Sequence, residues 1–257
     1  SWMLVGDKSL RSRLEEVYNN RPDIGLLASQ IKAHGMAGLS HVKATVGAPI
    51  LASLCQRLPT ADEMVKKMGV VAVEPKWDGV RVQVHARKME DGRWKMESFS
   101  RNLENTTEMF PELQNIGRQL NAHDVILDSE AVGMDPATGK LIPFQETATR
   151  KRKHDIAASL LKVPLKFFVF DILFKDGKDL LNLPLSDRRS VLNETVKNGN
   201  ILTIAPQIVT DDAREIREYH DEQLKKGLEG VVVKRWESPY EPGRRGYSWV
   251  KFKEEEG

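Results

Sequence analysis

The sequence predicts an α+β fold with largely antiparallel sheets, and three features carry that reading. Apolar and polar residues alternate from Val80 to Lys88 and again from Arg93 to Ser100, with Asp91-Gly92 between them. That is the pattern of a hairpin with one polar and one apolar face. Leu165 to Phe174 is a nearly continuous apolar run with four phenylalanines, as expected of a buried strand. Amphipathic helical stretches, of which Asp211 to Lys226 is the most charged, are interspersed among strands joined by hairpins.

Taken in order, the chain opens with Leu10, Leu14 and Val17 at helical spacing as far as Asn20, and Asp23 is placed to cap a second helix through Lys32. His41 to Leu58 reads as irregular, with Gly47 and Pro49 as breakers. Thr60-Ala61-Asp62-Glu63 is a capping box opening a short helix to Met68. Val70 to Val73 and Val80 to Val84 read as strands, and Asp78-Gly79 as a tight turn between them. Lys76 then ends one strand and Arg81 begins the next. Met109 to Leu120 reads as a helix opened near Pro111, Val125 to Met134 as a strand, and Pro136 to Gly139 as a turn. Ser186 is expected to cap a helix to about Val196. Ile201 to Val209 reads as one strand, Asp211 to Lys226 as a helix, Gly230 to Lys234 as a buried strand and Ser248 to Lys253 as the last strand. The acidic tail Glu254 to Gly257 follows at once, as at a domain boundary.

Composition excludes several classes of function. The 257 residues, 40% of them apolar, suffice for one large domain or one plus a fragment. No run approaches the roughly 18 unbroken apolar residues of a membrane helix, and Ser1 to Leu4 lack the basic start of a signal peptide. The single cysteine, Cys55, excludes an internal disulfide and a cysteine-based zinc site, and points to a reducing compartment. With 39 basic against 37 acidic residues, any nucleic-acid surface must be a local patch.

Chemistry is concentrated in Glu74-Pro75-Lys76-Trp77-Asp78-Gly79-Val80-Arg81. A lysine at a strand end on a rigid sheet is held still at a cleft mouth, and it attacks as the neutral amine. Ser100-Arg101-Asn102 closes the following hairpin with a guanidinium suited to bidentate phosphate capture. Leu127-Asp128-Ser129-Glu130 brings a carboxylate along a strand. In Phe168-Val169-Phe170-Asp171 the aspartate lies inside an apolar run, where it is costly unless paired. Glu229-Gly230-Val231-Val232-Val233-Lys234 sets a carboxylate at the mouth of a buried strand. In Trp249-Val250-Lys251-Phe252-Lys253 the two lysines share one strand face, where they can stabilise charge developing on a phosphate.

In this order the segments resemble the motifs of the covalent nucleotidyltransferases, which comprise DNA ligases, RNA ligases and messenger-RNA capping enzymes. Among these the chain is similar to the adenylation domain of archaeal-type ATP-dependent DNA ligases. The resemblance implies a nucleotidyltransferase domain over residues 45–257, with antiparallel sheets flanking an ATP cleft. Residues 1–44 would be the last helices and linker of an N-terminal DNA-binding domain, and the oligonucleotide-binding fold that follows the fifth motif in full ligases is absent. Ser129 departs from the family's usual glycine.

The resemblance further implies a set of roles. Lys76 is the nucleophile that keeps AMP as a phosphoramidate, in a catalytic set with Asp78, Arg81, Lys251 and Lys253. Glu74 accepts a hydrogen bond from the adenine amino group, since a carboxylate is an acceptor only; this favours ATP over GTP. Phe170 stacks on the purine. Arg81, Arg101, Glu130, Lys234, Lys251 and Lys253 contact ribose or phosphate, and Glu130 and Glu229 hold Mg²⁺ or Mn²⁺. The implied partner is nicked double-stranded DNA, served by a monomer away from any membrane, in the cytoplasm if the source is prokaryotic. The rivals are an RNA ligase, a GTP-dependent capping-type enzyme, and a nucleic-acid-binding module without chemistry. The helical start and Ser100-Arg101-Asn102 argue against the first two, and the intact lysines and Glu229 against the third.

Overall fold

The computed structural model describes residues 6–135, 137–142 and 164–252. Among them, two sheets carry the fold. The smaller has the order β1-β12-β11-β2-β10, formed by β1 (Gln56–Arg57), β2 (Val71–Pro75), β10 (Ile208–Thr210), β11 (Val231–Arg235) and β12 (Trp249–Phe252). The larger runs β4-β3-β5-β7-β8, with β6 on β5 and β9 on β7. Its long members are β3 (Val80–Lys88), β4 (Trp94–Ser100), β5 (Asp124–Met134) and β7 (Leu165–Lys175), with the short β6 (Leu141–Ile142), β8 (Lys178–Asp179) and β9 (Leu202–Ile204). Pairing is antiparallel except β1 with β12 and β7 with β9.

Strand alternation explains why both sheets bury both faces. On the small sheet Val71, Val73, Val231, Val233 and Val250 point outward onto α3 (Ala61–Met68) and α5 (Ala213–Lys225), meeting Met64, Met68 and Ile216 in one apolar cluster. On the large sheet Val82, Val84, Leu127, Phe167 and Val169 point away onto the 3₁₀ segment Pro111–Gln119 and α4 (Leu185–Thr195). The remaining faces turn toward each other. Near Lys76 they part to leave a cleft. Two N-terminal helices, α1 (Arg11–Asn20) and α2 (Ile24–His34), share a small core of their own around Leu14, Leu27, Leu39 and Val42.

The expected elements are present with four corrections. Val71–Pro75 and Val80–Lys88 do not pair across Asp78-Gly79; they belong to different sheets, so this turn is the crossover between them. The 109–120 helix is 3₁₀ from Pro111 to Gln119. Its apolar residues Phe110, Leu113 and Ile116 recur every third position, the period at which 3₁₀ side chains align. Residues 201–209 are broken at Pro206, which has no N–H to give to a ladder, into β9 on the large sheet and β10 on the small one. Ser186 does not cap α4: Pro184 holds the N-cap position, and the Ser186 hydroxyl donates to Glu237 at 3.2 Å. The two side-chain caps expected elsewhere are present, Asp23 accepting from the Leu26 amide at 2.8 Å and Thr60 from that of Glu63 at 3.2 Å. Pro136 lies outside the described residues.

Candidate active site

Gly79 makes the crossover possible. A Cβ there would lie 2.5 Å from the Ala131 carbonyl oxygen and 2.9 Å from Glu130 Cγ, so only glycine lets the chain pass this close to β5. Lys76 leaves β2 with its amide bound to the Gly230 carbonyl at 2.9 Å. Gly230 itself has φ +116°, and a Cβ there would lie 2.6 Å from the Phe252 carbonyl oxygen. These two glycines set Lys76 beside the β11 entry, where its ammonium is ion-paired with Glu229.

The cleft has a volume of about 620 Å³ and draws one wall from each sheet. On the small sheet, cross-strand register places Glu74, Val232 and Lys251 in one row and Lys234 and Trp249 in the next, all on the inner face. Glu74 and Lys234, both almost fully buried, form an ion pair at 2.6 Å. Burial raises the Glu74 pKa against the pull of Lys234. Glu74 Oε1 is buried with no hydrogen-bond partner. The Lys234 ammonium lies 4.4 Å from the Phe170 ring centre and 4.2 Å from that of Trp249.

The opposite wall comes from β3, β5 and β7. Asp128 pairs with Asp171 and Ser129 with Val169, so Phe170 is the extra residue of a β-bulge. A bulge re-aims a side chain, and here Phe170 faces the cleft while its neighbour Val169 keeps to the core. Arg81 is committed to the protein: Nε and Nη2 grip Asp128 at 3.0 and 2.6 Å, and Nη1 donates to the Ser53 carbonyl at 2.7 Å. The Tyr240 hydroxyl completes this cluster by donating to Asp128 at 2.8 Å. Glu130 is pushed up to about 8, chiefly by burial, with Asp128 and Asp78 adding to the shift and Arg81 and Lys76 opposing it.

Of the sequence-predicted site residues, Glu74, Lys76, Arg81, Arg101, Glu130, Phe170 and Lys234 line this one cleft. Arg101 stands exposed at its rim, in the turn after β4. Asp78 is exposed outside the lining residues, though close enough to Glu130 to bear on its titration. Lys251 shares the inner face by register but is not among the lining residues. Lys253 lies outside the described residues. Among the described residues no group of three His, Cys, Asp or Glu side chains could hold a metal unaided.

Sequence reasoning passed over Cys55, Trp77, Trp249 and the Asp128–Tyr240–Ser53 cluster. Trp77 stacks on Phe168 with ring centres 3.8 Å apart. It lies inside the motif already singled out, and an aromatic beside a nucleophilic lysine was the available signal. Tyr240 had none, since it reaches Asp128 from 112 positions away.

Comparison with known proteins identifies relatives over most of this chain. The family model described as ATP dependent DNA ligase domain matches residues 49–253. A "Probable DNA ligase" of Dictyoglomus thermophilum is 40% identical over 254 residues, 98% of this chain and 43% of that protein. "DNA ligase 2" of Korarchaeum cryptofilum is 36% identical over 96% of this chain and 41% of its own length. The chain thus spans about two-fifths of the curated relatives it matches. Among solved structures, mycobacterial DNA ligase D complexed with ATP and MES superposes with a TM-score of 0.59 at 32% identity, covering 79% of this chain and 60% of the other. With the family model spanning both sheets and every described residue of the cleft, the chain belongs to the ATP dependent DNA ligase domain family.

Proposed function

We propose that this chain is the adenylation core of an ATP-dependent DNA ligase, with Lys76 as the residue that takes up AMP. The observation that carries the reading is Lys76, paired with Glu229 between two glycine-enforced close approaches, at the edge of a cleft lined by Glu74, Glu130 and Phe170. Lys76 gives up a proton to solvent, and its neutral Nζ attacks the α-phosphorus of ATP. The N–P bond forms as the P–O bond to pyrophosphate breaks. The protein's contribution is mostly positioning and charge. Lys251, on the inner sheet face, and Lys253 are proposed to meet the α-phosphate, and Arg101 at the rim to grip the 5′-phosphate of DNA. Arg81 acts mainly by fixing Asp128 and the cleft wall.

The chemistry of the cleft fits adenine. Glu74 Oε1, buried without a partner, suits the exocyclic amino group, and the Phe170 ring supplies an apolar face. A cleft of 620 Å³ lies within the ~300–1,000 Å³ typical of ligand sites. A divalent cation fits only with help from the substrate: Glu130 and Glu229 can supply carboxylates and the phosphates and water the remaining ligands, the usual habit of Mg²⁺. When bound, Mg²⁺ neutralises charge on the phosphates. Transfer of AMP to a 5′-phosphate and sealing by the 3′-hydroxyl complete the ligase reaction in the full protein.

Competition tests the reading. Label from α-labelled ATP should appear on the chain, and excess unlabelled ATP should suppress it far better than GTP, whose 6-oxo group meets Glu74 acceptor to acceptor. The difference should be roughly 1–3 kcal/mol, the cost of a buried polar group without its partner. Equal suppression by GTP would instead support a capping-type enzyme.

A further inference from the structure

A second, smaller cleft of about 200 Å³ lies between the N-terminal segment and the β3–β4 hairpin, lined by Arg21, Thr45, Gly47, Arg87, Lys95 and Glu97 among others. Arg87 and Lys95 are direct cross-strand partners, so their side chains share a face. Arg87 also shares the face of β3 that carries Arg81, because the two are an even number of residues apart. Gln83 and His85 come between them on this face and are covered by the 47–50 segment. Gln83 binds both the amide and the carbonyl of Ile50, at 2.8 and 3.1 Å, and the Gly47 amide donates to His85 Nδ1 at 3.0 Å.

Two of the three cations have carboxylate partners: Arg87 has Asp124 and Lys95 has Glu97, each at 3.2 Å. Arg21 differs. Its Nη1 donates to Thr45 Oγ1 at 2.8 Å, its Nε is buried with no hydrogen-bond partner, and it forms no ion pair among the described residues. A half-buried guanidinium with an unanswered donor gains most from an anion with several acceptor oxygens. The cleft is smaller than the ~300 Å³ at which small-molecule sites begin, so it suits a single phosphate group on a larger polymer.

We propose that this cleft binds a backbone phosphate of duplex DNA, a second anchor for a substrate whose nick lies at Lys76. The inference rests on the ligase reading above. From Arg81 to Arg87 the strand advances ~20 Å, which is about six base pairs at ~3.4 Å each. One duplex running over the 47–50 segment that covers this face spans the distance between the two clefts.

The test is fluorescence anisotropy of a nicked, 5′-phosphorylated duplex titrated with the chain between about 50 and 200 mM salt. Arg21→Ala should weaken binding roughly three- to tenfold at the low end and lower the slope of log K against log salt by about 0.9, one phosphate contact. Lys95→Ala, whose side chain is 60% exposed and so dispensable for folding, should shift both in the same direction. Lys226→Ala, exposed just past the end of α5 and paired with Glu222, should change neither. Labelling by ATP in the absence of DNA should be the same for all four proteins.

An unchanged slope in Arg21→Ala and Lys95→Ala overturns the proposal. If Arg21→Ala merely melts earlier and keeps its slope, Arg21 is a structural clamp. No measurable binding by the parent chain at the low-salt end overturns it as well. Loss of ATP labelling in the parent chain would instead count against the ligase reading, whatever the slopes.

Discussion

At the scale of single residues, buried charges are held in pairs, Arg188 with Asp171 and Lys234 with Glu74. Asp171 in an apolar strand had to be paired, but nothing nearby named the partner. Arg188 supplies a fully buried bidentate pair at 2.8 and 2.9 Å from α4, 17 positions on. Arg188→Ala should therefore cost about 3–5 kcal/mol in denaturant unfolding, since it strands a buried carboxylate; a loss under about 1 kcal/mol would show the pair to be marginal. Arg81 read as a phosphate ligand, and its geometry gives most of its donors to Asp128, Ser53 and Tyr240, residues too distant in sequence to signal that use. Glu130 was legible as a site carboxylate, though its raised pKa was not. A carboxyl shifted from 4.5 to about 8 binds its proton more tightly when folded. Its stabilising share is complete below pH 4.5 and is lost as pH rises toward 8. Glu130→Gln stays neutral, so thermal melts should show it matching the parent at pH 4.5 and exceeding it at pH 8.5. The gain is about 5 kcal/mol at most, at about 1.4 kcal/mol per pKa unit. Parallel melting curves across that range would refute the account of Glu130.

Elements were legible where periodicity is strong and illegible where tertiary geometry overrides it. The β3–β4 hairpin and β7 followed from alternation and from an apolar run. The bulge that turns Phe170 into the cleft had no local signal, because it is a mismatch of register between β5 and β7. The Asp78-Gly79 turn was visible, but its two strands enter different sheets, and that depends on long-range partners. Gly79 shows how an element sets the site. Gly79→Ala would press a methyl into the Ala131 carbonyl, which is backbone and cannot swing aside. The expected outcome is a loss of about 1–3 kcal/mol in stability, typical of overpacking, together with a fall in ATP labelling as Lys76 and Glu130 move apart. Full labelling in a folded Gly79→Ala protein would show that the crossover tolerates more slack than its contacts imply.

For the whole molecule, composition alone left any nucleic-acid surface to a local patch, and structure places cations locally, at the cleft and at the Arg21 site. The chain spans 43% of the Dictyoglomus thermophilum relative, so the proposed AMP uptake can be tested apart from strand sealing. On a nicked duplex this chain should seal far more slowly than a version lengthened to match that relative, although both should take up AMP. Equal sealing rates would show that these residues suffice for the whole reaction. The central claim is the identity of the nucleophile. Its most direct measurement is peptide mapping by mass spectrometry after incubation with ATP and Mg²⁺. The account predicts a single AMP on the peptide containing Lys76, absent from Lys76→Ala, which should still fold because Lys76 is a half-buried residue at the cleft edge. An AMP adduct on a folded Lys76→Ala protein, or on any other residue of the parent, would contradict it.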